Sequence, residues 1–150
     1  MNHIKSVSVS VLFLIFSLLT THCGKKDSQS EIKITNIWSR PATVTGVVYM
    51  QISNTGGSDR LLRVSSDIAE YPELHESFMQ GDKMKMKHLA DGLKIPAEDE
   101  VVLQPGGLHI MLINLTKELE SGESFELTLH FEKAGPVTVT SHIMKNNPKS

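Results

Sequence analysis

The sequence is poor in cysteine and has no excess of basic charge. Its single cysteine among 150 residues is Cys23, near the N-terminus. The rest of the chain therefore cannot form a disulfide framework or supply a thiolate to a metal. Lys and Arg number 15 against 17 Asp and Glu, and they form no long basic block. This balance excludes the electrostatic signature of a nucleic-acid-binding protein.

Helical periodicity is also missing, since no segment repeats apolar residues at helical spacing for more than about two turns. Short segments rich in Val, Ile, Leu and Thr are separated instead by turn sequences such as NTGGSD, QPGG and KAGP. For the segment SSDIAEYPE we predict one short turn. This pattern predicts a single all-β domain, an antiparallel sandwich or barrel with Greek-key connections. The ten predicted strand segments are 31–39, 45–54, 59–66, 73–79, 82–89, 92–96, 100–105, 108–115, 123–132 and 136–144.

The longest apolar run, VSVSVLFLIFSLL, is too short to span a membrane comfortably and is followed by LTTHC. It resembles a bacterial lipoprotein signal, in which the cysteine is lipidated and becomes the first residue of the mature protein. We therefore expect a signal peptide over 1–22, lipidated Cys23 with a flexible tether over 23–31, a domain over 32–144 and a short tail over 145–150. The alternative is an uncleaved anchor with a free thiol. Both place the domain outside the cytoplasm.

Methionine and histidine are prominent, with seven of each. In the segment LHESFMQGDKMKMKH, a hairpin centred on Gln80-Gly81 would place His75 directly opposite Met86. Strict alternation in KMKMKH puts Met84, Met86 and His88 on one face and the three lysines on the other.

A second mixed pair lies in one strand segment, LHIML. His109 and Met111 share a face there, while Ile110 points to the opposite, buried side. Any one of these residues alone is more typical of packing or of a solvated strand face. Two mixed pairs on a common predicted face favour a metal site.

The ligand chemistry of such a set favours copper. Thioether sulfur is neutral and soft, so it suits Cu(I), and imidazole accepts copper in either oxidation state. Blue-copper electron transfer would need a Cys thiolate beside the histidines. A zinc hydrolase would need a second histidine four residues after His75-Glu76, which the sequence lacks.

The spacing of these residues resembles the PCu(A)C family of periplasmic copper chaperones. His75 is followed after ten residues by Met86, then after twenty-two by His109 and its partner Met111. The segments ELHE, MKM, GLKIPA, LQPGGLHIML and LTLHFEKAG are also similar to that family, over roughly residues 32–141.

The resemblance implies a cupredoxin-like antiparallel Greek-key β-sandwich that binds one Cu(I). The implied ligands are His75, Met86, His109 and Met111. The implied destination is the Cu(A) centre of cytochrome c oxidase, with subunit II and Sco-type proteins as partners. A second His-x-Met, His142 and Met144, resembles the auxiliary copper residues of some family members, and Met84 is a further candidate; a plain terminal strand is the alternative for the former pair.

We therefore predict a lipid-anchored Cu(I) chaperone on the periplasmic side of the bacterial cell envelope, for copper delivery or copper buffering. The alternative function is a lipid-anchored β-sandwich module for adhesion or envelope assembly, without metal. An enzyme is not expected, because no nucleophile–base pair or paired-carboxylate motif stands out.

Overall fold

Ten β-strands run through residues 29–146, the part of the chain that the computed structural model describes. The predicted signal peptide, Cys23 and most of the predicted tail lie outside these residues. Each of the ten predicted segments overlaps one strand. The strands are β1 Ile32–Ser39, β2 Thr45–Asn54, β3 Asp59–Ser65, β4 Ala69–Gln80, β5 Lys83–His88, β6 Leu93–Ile95, β7 Asp99–Leu103, β8 Leu108–Leu115, β9 Ser124–Phe131 and β10 Pro136–Ile143.

Helices are absent from the described range, so it contains no helix long and apolar enough to cross a membrane.

Hydrogen bonds join the strands in the order β5-β4-β8-β7-β2-β1-β10-β9-β3-β6, with an additional β8–β2 pairing. One buried cluster combines side chains of β2, β4 and β8 with side chains of β3, β6 and β9. The two halves of the sheet therefore face each other across one core, which confirms the predicted all-β sandwich. The pairings are antiparallel except for β1–β10 and β7–β8, which are parallel and were not predicted.

The core is built by alternation along each strand. In β8, Ile110 and Leu112 are fully buried, and in β9 the residues Leu127 and Leu129 occupy the facing layer. Each such side chain contributes about 1.5–3 kcal/mol by leaving water. The intervening residues of these strands point away from the core, so the opposite face of β8 is available for function.

The short turn predicted for SSDIAEYPE lies at Asp67 and Ile68, and β4 begins directly after it at Ala69. The strand begins earlier than the predicted segment because β8 extends far enough to pair Ala69 with Leu115. Pro72 is tolerated inside the strand since β5 pairs only with His75–Gln80. Pro72 therefore lies outside the β4–β5 pairing, where β5 requires no N–H donor from it.

The start of the described chain is fastened to the sandwich by Asp59, a buried carboxylate at the beginning of β3. It accepts hydrogen bonds from the Ser30 hydroxyl at 2.5 Å and from the backbone N–H groups of Arg60, Lys133 and Ala134 at 2.7–2.9 Å. Burial alone would raise the pKa of Asp59. The hydrogen bonds outweigh it and hold the pKa below its ordinary value.

Candidate metal centre

The β4–β5 hairpin turns one residue later than the sequence predicted. Its two-residue loop is Gly81-Asp82, so His75 lies opposite His88 and Met86 lies opposite Ser77. The predicted direct pairing of His75 with Met86 was therefore wrong. The reason is conformational: Gly81 has φ 61°, as the first central position of a type II′ hairpin turn requires, and glycine adopts this φ without strain.

The register error spans two residues, so it leaves the predicted face unchanged. His75 and Met86 still project from the same face, now as diagonal neighbours on adjacent rungs. Diagonal positions lie roughly 7–8 Å apart, which is within reach of a long side chain such as methionine. The hairpin therefore keeps this imidazole and this thioether within reach of one another.

Strand β8 brings the second mixed pair to the same face from the other side of β4. His109 pairs directly with His75, and Met111 pairs directly with Glu73. All four predicted ligands thus project from one face of three adjacent strands, β5, β4 and β8: His75, Met86, His109 and Met111.

The histidines of the three strands form a row across this face. The ring centroids of His75 and His109 are 6.0 Å apart, with an interplanar angle of 27°. On the other side, the His75 and His88 rings are 5.2 Å apart at 25°. His88 therefore stacks beside the central imidazole.

His109 is held in one orientation by the backbone. Its Nδ1 lies 2.9 Å from the Gly107 carbonyl oxygen, so Nδ1 carries the proton and donates it. The Nε2 lone pair is then the one available to a metal. Only 4% of His109 is exposed, and Met111 is half-buried.

His75 is oriented by a carboxylate. Its Nε2 donates to the Glu73 Oε2 at 2.9 Å. Its Nδ1 is buried and has no hydrogen-bond partner within the described chain. A buried ring nitrogen of this kind is costly unless something binds it, so Nδ1 is the atom of His75 suited to a metal.

Glu73 was missed by the sequence analysis. The available signal was its position two residues before His75, which places both side chains on one face of a strand. Glu76 lies on the opposite face and pairs with Lys87.

The auxiliary candidates occupy two different places. Met84 lies on the same face as Met86 in β5, and both are more than half exposed. His142 is an exposed residue of β10 and Met144 follows that strand. Within residues 29–146, β10 pairs only with β1 and β9, so sheet pairing does not join this pair to the other four.

The set as a whole suits a soft ion. In the described part of the chain, no group of three or more His, Cys, Asp or Glu side chains is arranged to hold a metal. Two imidazoles with open nitrogens and two neutral thioethers are ligands that suit Cu(I).

A family model described as "Putative lipoprotein LpqE-like" matches residues 32–143. The chain belongs to the LpqE-like family. One similar protein is "Putative lipoprotein Lxx21020" of Leifsonia xyli subsp. xyli (strain CTCB07). It is 30% identical over 112 residues, which cover 72% of this chain and 68% of that protein. The lipoprotein description agrees with the lipoprotein signal predicted from the sequence.

Solved structures show the same fold as this LpqE-like chain. The "Copper-bound PCuAC domain from PmoF2" is 28% identical with a TM-score of 0.65, over 79% of this chain and 96% of that domain. The "Solution structure of CuI-DR1885 from Deinococcus Radiodurans" is 28% identical with a TM-score of 0.56, over 75% of this chain and 79% of that protein. These matches confirm the predicted PCu(A)C resemblance and the cupredoxin-like fold.

Proposed function

We propose that this LpqE-like protein is an extracytoplasmic copper chaperone that binds one Cu(I) through His75, Met86, His109 and Met111. The observation that carries the proposal is the projection of two imidazoles and two thioethers from one face of β5, β4 and β8. The copper named in the two solved structures supports the choice of metal.

The orientation of the imidazoles supports a prepared site. Glu73 holds the proton of His75 on Nε2, and the Gly107 carbonyl holds the proton of His109 on Nδ1. In the neutral form of each ring, the nitrogen without a proton is then Nδ1 of His75 and Nε2 of His109. Fixing tautomer and ring orientation in advance lowers the free-energy cost of binding and raises ligand basicity.

The ligand set also suits transport of the ion rather than electron transfer. Four neutral ligands leave the charge of Cu(I) uncompensated, and the described residues offer no thiolate to hold it more firmly. Met86 is 52% exposed, so an acceptor can approach the ion from that side. We propose the Cu(A) centre of cytochrome c oxidase subunit II as one destination of the copper, with Sco-type proteins as partners in delivery. Copper buffering in the cell envelope would use the same binding site.

Attachment to the membrane completes the proposal. Lipidation of Cys23 would tether the domain through residues 23–31 on the periplasmic side of the cell envelope, where copper acceptors of this kind are reached without release of the carrier.

The deciding experiment is anaerobic competition for Cu(I) between the protein and a Cu(I)-selective chelator, with a parallel competition for Zn(II). We expect one tightly held Cu(I) and much weaker zinc binding. Met50→Leu is the matched control, because Met50 is a core methionine, 2% exposed, and its sulfur should not matter. Failure to compete for Cu(I), or equal affinity for zinc, would refute the carrier function and favour the metal-free envelope module.

A further inference from the structure

The tip of the β4–β5 hairpin carries methionines that the proposed four-ligand site does not use. Met79 and Met84 are directly opposed, and each is 58% exposed. Apolar side chains stabilise a fold by leaving water, and these two methionines remain largely in water, so their burial contributes little stabilisation. Packing therefore does not account for their presence on this face.

The two faces of the hairpin differ sharply in chemistry. Lys83, Lys85 and Lys87 project from the face opposite to the methionines. The lysines suit an exposed edge strand, which they protect from pairing with other chains. The thioethers all lie on the other face, in line with His75 and His88, so the hairpin presents a track of soft ligands that leads to the proposed site.

We propose that Met79 and Met84 form an outer loading site for Cu(I), from which Met86 passes the ion to the inner ligands. The inference deepens the proposed function and rests on it. Directly opposed residues have Cβ atoms about 4.5–5.5 Å apart, and methionine has three rotatable side-chain bonds. Both sulfurs can therefore reach one ion, and a pair of neutral thioethers selects Cu(I).

Met86 connects the two sites because of its place in the ladder. It lies opposite Ser77, between the Met79–Met84 pair and the pair that contains His75, and it is the next residue of β5 on this face from both. In the transfer step, the Cu–S bonds to Met79 and Met84 break while bonds to Met86 and the inner ligands form. The ion stays Cu(I) throughout, and no proton moves because thioethers carry none.

The test follows the ¹³C-labelled methionine methyl groups of the full-length Cys23→Ser chain by NMR during anaerobic addition of Cu(I). Removing the cysteine ensures that no thiol competes for the ion. The first equivalent should shift the methyl signals of Met86 and Met111, and further Cu(I) should shift those of Met79 and Met84. The signal of buried Met50 should stay in place.

The matched variant is Met79→Leu/Met84→Leu, which keeps the side-chain volume and removes both sulfurs. It should keep the first response, at Met86 and Met111, and take up Cu(I) more slowly from a chelator complex. Unmoved Met79 and Met84 signals in the parent chain, or an unchanged rate in the double variant, would overturn the loading site. Met111→Leu separates the two proposals: undiminished tight binding in that variant would count against the inner site alone, since the Met79 and Met84 response is read independently.

Discussion

Ile110 and Met111 are adjacent in β8 but point to opposite faces. Substituting Ile110 should therefore lower stability, whereas substituting Met111 should lower Cu(I) affinity. Ile110 is fully buried and faces Leu74 across the β4–β8 pairing, so Ile110→Ala should cost about 2–5 kcal/mol of unfolding free energy. At about 4 °C per kcal/mol for a folded domain of this size, the melting temperature should fall by about 8–20 °C. Met111→Leu keeps the volume of a half-buried side chain and should cost less than about 1.5 kcal/mol.

Copper affinity should respond in the opposite sense. Met111→Leu removes one of four proposed ligands, and we expect Cu(I) binding to weaken by more than about tenfold, or about 1.4 kcal/mol. Ile110→Ala should keep the affinity when it is measured well below its melting temperature. Thermal melts and anaerobic chelator competition on both variants provide the comparison. Unchanged copper affinity in Met111→Leu would return Met111 to a packing role, and equal destabilisation by both changes would refute the assignment of faces.

Three further changes test the surroundings of the site. Glu73→Ala should weaken Cu(I) binding by about 10–100-fold, because His75 loses the partner that orients it, whereas Glu76→Ala on the opposite face should not; equal affinities in chelator competition would count against orientation by Glu73. Asp59→Asn should lower stability at neutral pH. Because the folded pKa of Asp59 lies below the unfolded value, its stabilisation is complete above about pH 4 and is lost as the pH falls through the folded pKa. In denaturant unfolding, the difference in unfolding free energy between wild type and Asp59→Asn should therefore shrink in acid. A difference that does not change with pH would contradict this. Cys23→Ser should release the domain from membranes or block its processing without loss of copper binding, as fractionation and titration of the soluble domain would establish; loss of binding would make Cys23 a ligand.

Much of the fold could be predicted because period-two alternation is a strong signal where one face of a strand is buried. In β8, the buried pair Ile110 and Leu112 fixes the direction of His109 and Met111. The same reasoning holds along β5, where the alternation of Lys and Met is strict. The face shared by the proposed ligands was therefore accessible from the sequence.

The register of the β4–β5 hairpin was harder to predict, because every residue of β5 is exposed and no core contact selects a pairing. Only the turn decides it, and the Gly81-Asp82 dipeptide was the available signal. Glu73 already lies in the predicted segment 73–79, and its position two residues before His75 was the available signal. The start of β4 at Ala69 was harder to predict, because it is set by pairing with β8, a contact distant in sequence that no local pattern records.

This difference between β8 and β5 bears on how the proposed site would accept and release its ion. His75, His109 and Met111 lie on strands whose opposite faces are packed into the core, so their positions are maintained as long as the sandwich is folded. Met86 lies on the edge strand β5, which buries none of its residues. Segments with few buried contacts open at a lower free energy than core strands. Met86 is therefore the proposed ligand that can leave first, and the side from which it leaves is the side that carries Met79 and Met84.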